Sequence, residues 1–118
     1  MRLTLFVEHQ NASQVFTMTN TTRSYVGREN ADVVIASSFC SKLHAILFQN
    51  IDGELVLKDL GSRNGTYVYE QKVNEAKLAA GGKFRIGGAV ITVLAYEAGS
   101  EFYDLESKRD VSSSLALL

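Results

Sequence analysis

Asp59-Leu60-Gly61-Ser62-Arg63-Asn64-Gly65-Thr66-Tyr67 separates the apolar run from Glu54 to Leu60 from Tyr67-Val68 with a polar, glycine-rich turn. Asn and Gly both tolerate the positive φ that a two-residue primed turn demands, so Asn64-Gly65 predicts a tight hairpin connection. Outward from it, the chain reads as short runs of period two. Leu3, Leu5 and Val7 alternate with Arg2, Thr4 and Glu8, which leaves Phe6 facing outward; Phe16 and Met18 alternate with Val15 and Thr17; Tyr25-Val26 leads into Gly27. Val33-Val34-Ile35 and Ala45 to Phe48 are continuous apolar runs, and the second is followed by Asn50-Ile51-Asp52-Gly53, which predicts a hairpin. Beyond the central turn come Tyr67-Val68, Gln71-Lys72-Val73, Phe84-Arg85-Ile86 and the strongest run, Ala89 to Tyr96. No helical period survives in the first 96 residues. About ten or eleven short strands predict an all-β sandwich of two antiparallel sheets packed face to face.

A chain of 118 residues fits one domain, large enough to bury roughly two thirds of its unfolded surface without disulfide support. With 46% hydrophobic and 21% charged residues it has the composition of a soluble globular protein, and no apolar run approaches the ~20 residues of a membrane span. Met1 to Glu8 is too short for a secretory signal and reads as a first strand. The single cysteine, Cys40, excludes an internal disulfide and fits a reducing compartment, so a cytoplasmic location is expected. A net charge of −1 argues against a nucleic-acid binder, which would carry a basic excess. Residues 1–97 read as the domain and 98–118 as a tail, because Ala98-Gly99-Ser100 breaks the pattern and the remainder mixes charges, Ser112-Ser113-Ser114 and Leu115-Ala116-Leu117-Leu118. Three readings of the tail stand open: a partly helical docking segment, a linker to another domain, or, for Gly99-Ser100-Glu101-Phe102, a cloning scar.

Three cations, Arg28, Lys42 and Arg63, fall in predicted loops, where charge serves binding more often than packing. At Gly27-Arg28 a glycine allows a sharp turn and the guanidinium offers a fork suited to phosphate or carboxylate, although a single such pair is more often a surface salt bridge. In Ser37-Ser38-Phe39-Cys40-Ser41-Lys42-Leu43-His44, the Ser41 hydroxyl and the Lys42 ammonium can reach an anion at a loop tip, and His44 more plausibly ties loops together than acts as a base. Cys40 and His44 have no oxyanion context around them that would make a nucleophile and base. The Asn64 amide carries both donor and acceptor, which suits the backbone of an extended ligand, or simple turn chemistry. A P-loop is excluded because Phe84 follows Gly82-Lys83, and one cysteine with His9 and His44 does not make a typical zinc site. No catalytic set emerges, and no cofactor or metal is expected.

Taken together and in this order, Gly27-Arg28, Ser41-x-x-His44 and Gly61-Ser62-Arg63-Asn64-Gly65-Thr66 on an all-β chain closely resemble the forkhead-associated (FHA) domain. The resemblance covers residues 1–96 and includes the stretch from Gly81 to Gly87, similar to the family's penultimate strand. It implies an eleven-stranded sandwich whose loops at one end bind phosphothreonine peptides. Carried over to this chain, Arg28 grips the phosphate, Ser41 hydrogen-bonds it, and Lys42 adds charge at a position that varies in the family. Asn64 holds the peptide backbone just after the phosphothreonine. Gly27, Gly65 and His44 shape the loops, Ser62 supports the turn, and Phe39 with its neighbours bears on peptide specificity. The chain departs from the family at Arg63, where Thr or Ser is common, which adds a second potential phosphate contact, and at Tyr69-Glu70, where Asn-Gly is usual. The implied function is recognition of a phosphothreonine-containing partner protein for signalling or complex assembly, without nucleic acid or membrane. The alternative is an FHA-like scaffold that binds a partner through a sheet face independently of phosphate.

Overall fold

The computed structural model describes residues 1–112. In chain order the strands are β1 (Arg2–His9), β2 (Ala12–Met18), β3 (Arg23–Gly27), β4 (Val33–Val34), β5 (Ala45–Gln49), β6 (Leu55–Asp59), β7 (Thr66–Val68), β8 (Gln71–Val73), β9 (Glu75–Leu78), β10 (Lys83–Ile86), β11 (Ala89–Glu97), β12 (Glu101–Asp104) and β13 (Arg109–Ser112). A six-stranded sheet, β2-β1-β11-β10-β7-β8, faces a five-stranded sheet, β4-β3-β5-β6-β9. The alternation in β1 places Leu3, Leu5 and Val7 in the core between the sheets and Phe6 on the outer face, half-buried. Leu47, Leu55 and Leu57 meet them from the opposing sheet, with Phe84, Ile86 and Ile91 completing that core.

The eleven strands of the sandwich end at Glu97, and most pair antiparallel as expected. One pair differs: β3 and β4 run parallel, with Val26 opposite Val33 and Gly27 opposite Val34. The short β4 is drawn to that edge because buried Val33 and Ile35 fill the core beside β3. The expected hairpin between β5 and β6 forms, closed by Gly53 N–H on the Asn50 carbonyl at 3.0 Å.

The central turn is a correction. Asn64-Gly65 does not close a hairpin, because β6 pairs with β9 in one sheet and β7 pairs with β8 and β10 in the other. Gly61 and Gly65 take positive φ (71° and 89°) and Asn64 does not, so the geometry of a primed turn is absent and the chain crosses between sheets instead. The tail needs correction too, since Glu101–Asp104 and Arg109–Ser112 form an antiparallel hairpin rather than a helix. Tyr103, Ile46, Phe48 and Val56 build a second apolar cluster beneath that hairpin, on the outer face of β5 and β6. Phe102 and Tyr103 are both buried, Phe102 lies opposite Val111 in the ladder, and burial of aromatic surface favours the strand pairing. Gly99 is clamped by Gln49, whose Nε2 donates to its carbonyl and whose Oε1 accepts its N–H, both at 2.8 Å, and Phe102 is buried. The segment for which a scar stood among three open readings is thus packed into the fold. Ser113, Ser114 and the final Leu115 to Leu118 lie outside the described residues.

Candidate functional site

Gly27 ends β3 with its α-carbon pressed against the β4–β5 loop: a Cβ there would lie 2.0 Å from the Lys42 carbonyl oxygen. Backbone cannot yield to that contact as a flexible side chain can, so only glycine fits. The close approach lets Arg28 N–H donate to the Ser41 carbonyl at 3.0 Å. Two of the three loops that carry the candidate cations are joined here.

His44 joins the third. Its ring is completely buried; Nδ1 accepts the Ser41 N–H at 3.0 Å, and Nε2 stands 2.9 Å from the Gly65 carbonyl oxygen. An acceptor at Nδ1 assigns the proton to Nε2, so the neutral ring donates to Gly65 and spans from the β4–β5 loop to the β6–β7 loop. Its own backbone is fixed on both sides, N–H to the Val26 carbonyl and carbonyl to Leu60 N–H, each at 2.9 Å. A second bridge runs directly between the loops, where Ser41 Oγ accepts Arg63 N–H at 3.1 Å. A third is the Asn64 amide, which donates to the Phe39 carbonyl at 3.0 Å.

Beneath the β6–β7 loop, Asp59 takes three hydrogen bonds: Ser62 N–H at 2.9 Å, Ser62 Oγ at 2.6 Å and Thr66 Oγ1 at 2.7 Å. Ser62 Oγ in turn accepts Gly65 N–H at 3.0 Å. Burial pushes the Asp59 carboxyl up, but the hydrogen bonds from Ser62 and Thr66 outweigh it and hold the group below its usual range. Sequence reading passed over Asp59 and Thr66 as supports of the site. The bond from Ser62 N–H reaches back three residues rather than the two of an Asx-turn, so no turn signature in the sequence marked the pair.

Arg28, Ser41, Lys42, Arg63 and Asn64 therefore sit on three loops at one end of the sandwich, the β4–β5 loop being bonded to each of the other two. Arg28 is half-buried and Arg63 exposed, and among the described residues neither guanidinium has an ion-pair partner. Lys42 lies 3.6 Å from Glu29, with both side chains largely exposed, a pairing worth little in water and open to exchange. The Ser41 hydroxyl keeps its hydrogen for a ligand, since its recorded bond uses only a lone pair. Burial raises the Cys40 thiol, with Arg28 opposing it in part, and its Sγ donates to the Ser41 carbonyl at 3.4 Å, so the group is a poor nucleophile. Among the described residues no cluster of three His, Cys, Asp or Glu side chains is placed to hold a metal, and no helix is long and apolar enough to cross a membrane.

Beside Asn64 a shallow cleft of about 350 Å³ opens between Phe39, Tyr67, Arg85 and Gly87-Gly88. A larger one, about 660 Å³, lies against Thr21, Arg23 and Gly99, but Arg23 is already bound to Asp110 at 3.0 Å and offers no open cation. The turn at Tyr69-Glu70 keeps primed geometry without glycine, with φ of 49° and 61°. Such positions cost about 1–2 kcal/mol each for non-glycine residues. Two bonds from Arg85 to the Glu70 carboxylate, at 3.3 and 3.2 Å, offset part of that, as does the Arg85 guanidinium 4.5 Å above the Tyr67 ring.

The FHA domain family model matches residues 25–87. Among solved structures, the FHA domain of CT664 protein from Chlamydia trachomatis is 26% identical with a TM-score of 0.72, the alignment covering 82% of this chain and 100% of that one. The FhaA FHA domain, solved in complex with the intracellular domain of Rv3910, is 26% identical with a TM-score of 0.67, covering 77% and 98%. An FHA domain from a study of phosphothreonine-dependent FHA domain interactions is 24% identical with a TM-score of 0.71, covering 82% and 99%; it speaks for the fold alone. No curated protein sequence gives a significant match.

Proposed function

Since this chain belongs to the forkhead-associated (FHA) domain family, we propose that it is a phosphopeptide-binding module that recognises phosphothreonine in a partner protein through Arg28, Ser41, Lys42, Arg63 and Asn64. The observation that carries this reading is the fully buried His44, which bonds Ser41 N–H and the Gly65 carbonyl at once. That bridge holds Ser41 against the Asn64 turn before any ligand arrives, and the bond from Arg28 N–H to the Ser41 carbonyl keeps the half-buried Arg28 on the adjoining loop, which reduces the ordering cost of binding. A phosphate carries nearly two negative charges at neutral pH and three acceptor oxygens. Arg28 supplies the planar fork, Ser41 its hydroxyl hydrogen, and Lys42 an ammonium released from Glu29. Asn64, with one amide hydrogen on Phe39, retains a second donor and an acceptor for the peptide backbone. Arg63 extends the positive surface beside Ser41, and the cleft at Phe39 and Gly87 receives residues that follow the phosphothreonine.

A solved relative supports the reading: the FhaA FHA domain was captured in complex with the intracellular domain of Rv3910. The function is partner binding rather than catalysis, for signalling or complex assembly, and the single buried cysteine accords with a reducing, cytoplasmic setting. Nucleic acid and membrane are not its targets on this reading. Phosphate-independent docking on the outer face of the five-stranded sheet is less favoured, since β12 and β13 already cover Ile46, Phe48 and Val56 there.

Calorimetry with an oriented phosphothreonine peptide library tests the proposal. Charge-assisted hydrogen bonds contribute roughly 1.5–3 kcal/mol each, so a two-donor contact from Arg28 predicts at least ~100-fold weaker binding for Arg28→Ala. The unphosphorylated twin should not bind. Equal affinity of the wild type and Arg28→Ala for the selected peptide would overturn the assignment.

A further inference from the structure

The sandwich has four edge strands, β2 and β8 in one sheet and β4 and β9 in the other. Natural sheets protect their edges by shortness, charge, proline or bulges. β4 is two residues long; β8 is three and contains Lys72; β9 carries Glu75 and Lys77; and the terminal hairpin carries Glu101, Asp104, Arg109 and Asp110. β2 has none of these devices. Its seven residues, Ala12-Ser13-Gln14-Val15-Phe16-Thr17-Met18, hold no charge and no proline, and it pairs with β1 without a register break from Leu3–Met18 to His9–Ala12. Among the described residues only one side of its ladder is paired, so every second residue turns its N–H and C=O groups away from β1.

We infer that β2 is a self-association edge, through which two copies of this chain pair antiparallel and join their six-stranded sheets. The occupant follows from the strand's own symmetry. With the two-fold axis at Val15, the middle of the strand, Ser13 meets Thr17, Gln14 meets Phe16 and Val15 meets Val15. Hydroxyl pairs and aliphatic pairs are favourable cross-strand neighbours, and no like charges oppose. Val15 is 55% exposed on the outer face, beside the half-buried Phe6 of β1, so the pairing sets the two Val15 side chains against each other and takes apolar surface of both from water. A net charge of −1 adds little repulsion between copies. A cleft of about 210 Å³ runs beside the strand, between Ser13 and Gln14 on β2 and Val34 to Ala36 on the opposing sheet, and marks where the edge stands open. The β1–β2 turn lies at the same end of the sandwich as the loops described above, since Gly88 faces the His9 ring and Gly87 faces Phe39. Antiparallel pairing sends those ends in opposite directions, so both copies keep their binding loops open.

A seven-residue ladder is smaller than a standard protein interface, so a dissociation constant on the order of 100 μM is expected. Sedimentation equilibrium of the full chain between about 10 μM and about 1 mM should show the mass moving from monomer to dimer, with Val15→Lys remaining monomeric and melting like the wild type. A second test replaces Val15 by cysteine and treats the protein with a short bismaleimide, using Ile51→Cys, exposed on the β5–β6 turn, as the control. Covalent dimer should form at position 15 and not at position 51; the buried Cys40 is common to both. A wild type that stays monomeric at about 1 mM, a Val15→Lys variant that dimerises as the wild type does, or equal cross-linking at the two positions would each overturn the proposal, including any case in which β2 takes only a strand from a different protein.

Discussion

Asp59 shows how one half-buried carboxylate fixes the shape of a binding loop. Its bonds to Ser62 and Thr66 hold the carboxyl below its usual range despite burial. A group whose folded value is depressed adds stability that is present above its ordinary value, near ~4, and is lost as pH falls through the depressed one. The acid limb of the stability curve below about pH 4 should therefore carry an Asp59 component. Asp59→Asn should lower stability at neutral pH by about 1–3 kcal/mol and flatten that limb, which urea midpoints measured across the acid range would show; an unchanged slope would remove Asp59 as its source. At this scale Gly27 and His44 were legible from residue type and loop position. Asp59 was not, because its partners Ser62 and Thr66 lie within the same turn and only the folded loop shows which oxygens they reach.

The terminal hairpin is where element-level reading failed. Charges and serines in residues 101–112 hid two short strands, and the signal that separates them from a linker is the burial of Phe102 and Tyr103. Tyr103 packs edge-on against Phe48, with ring centroids 6.0 Å apart, and lies under the Arg23 guanidinium at 4.7 Å. Arg23 and Thr22 both bond Asp110 on β13, so the hairpin is held along both strands. Tyr103→Ala should cost about 3 kcal/mol and lower the melting temperature by roughly 10 °C, and calorimetric unfolding would measure both. A melting point within a degree or two of the wild type would mean the hairpin adds nothing to the sandwich. β9 was missed for a similar reason: Glu75 and Lys77 face water on an edge strand and interrupt the apolar signal.

For the molecule as a whole, net charge is a poor guide to ligand charge. A total of −1 coexists with a local cluster of Arg28, Lys42 and Arg63, with Glu29 as the acid at its rim. Phosphopeptide affinity should fall several-fold as salt rises from about 50 to about 500 mM, because exposed charges are screened over a Debye length of roughly 10 Å or less. Glu29→Gln should tighten binding about two-fold at low salt by freeing Lys42, with the gain vanishing at high salt. Titrations across salt concentrations check both, and a Glu29→Gln gain that ignores salt would rule out this electrostatic cause. The sequence by itself determined the all-β class, the burial pattern of β1 and the loop positions of the cations, because alternation, glycine and turn chemistry act within a few residues. Only the tertiary structure decided that β6 and β7 enter different sheets, which turned Asn64-Gly65 from a hairpin into a bridge between them. It also decided that His44 spans to Gly65 and that Tyr103 covers Phe48. Each of these depends on burial and hydrogen bonding between residues far apart in the chain, and such contacts are settled only when the two sheets close on a common core.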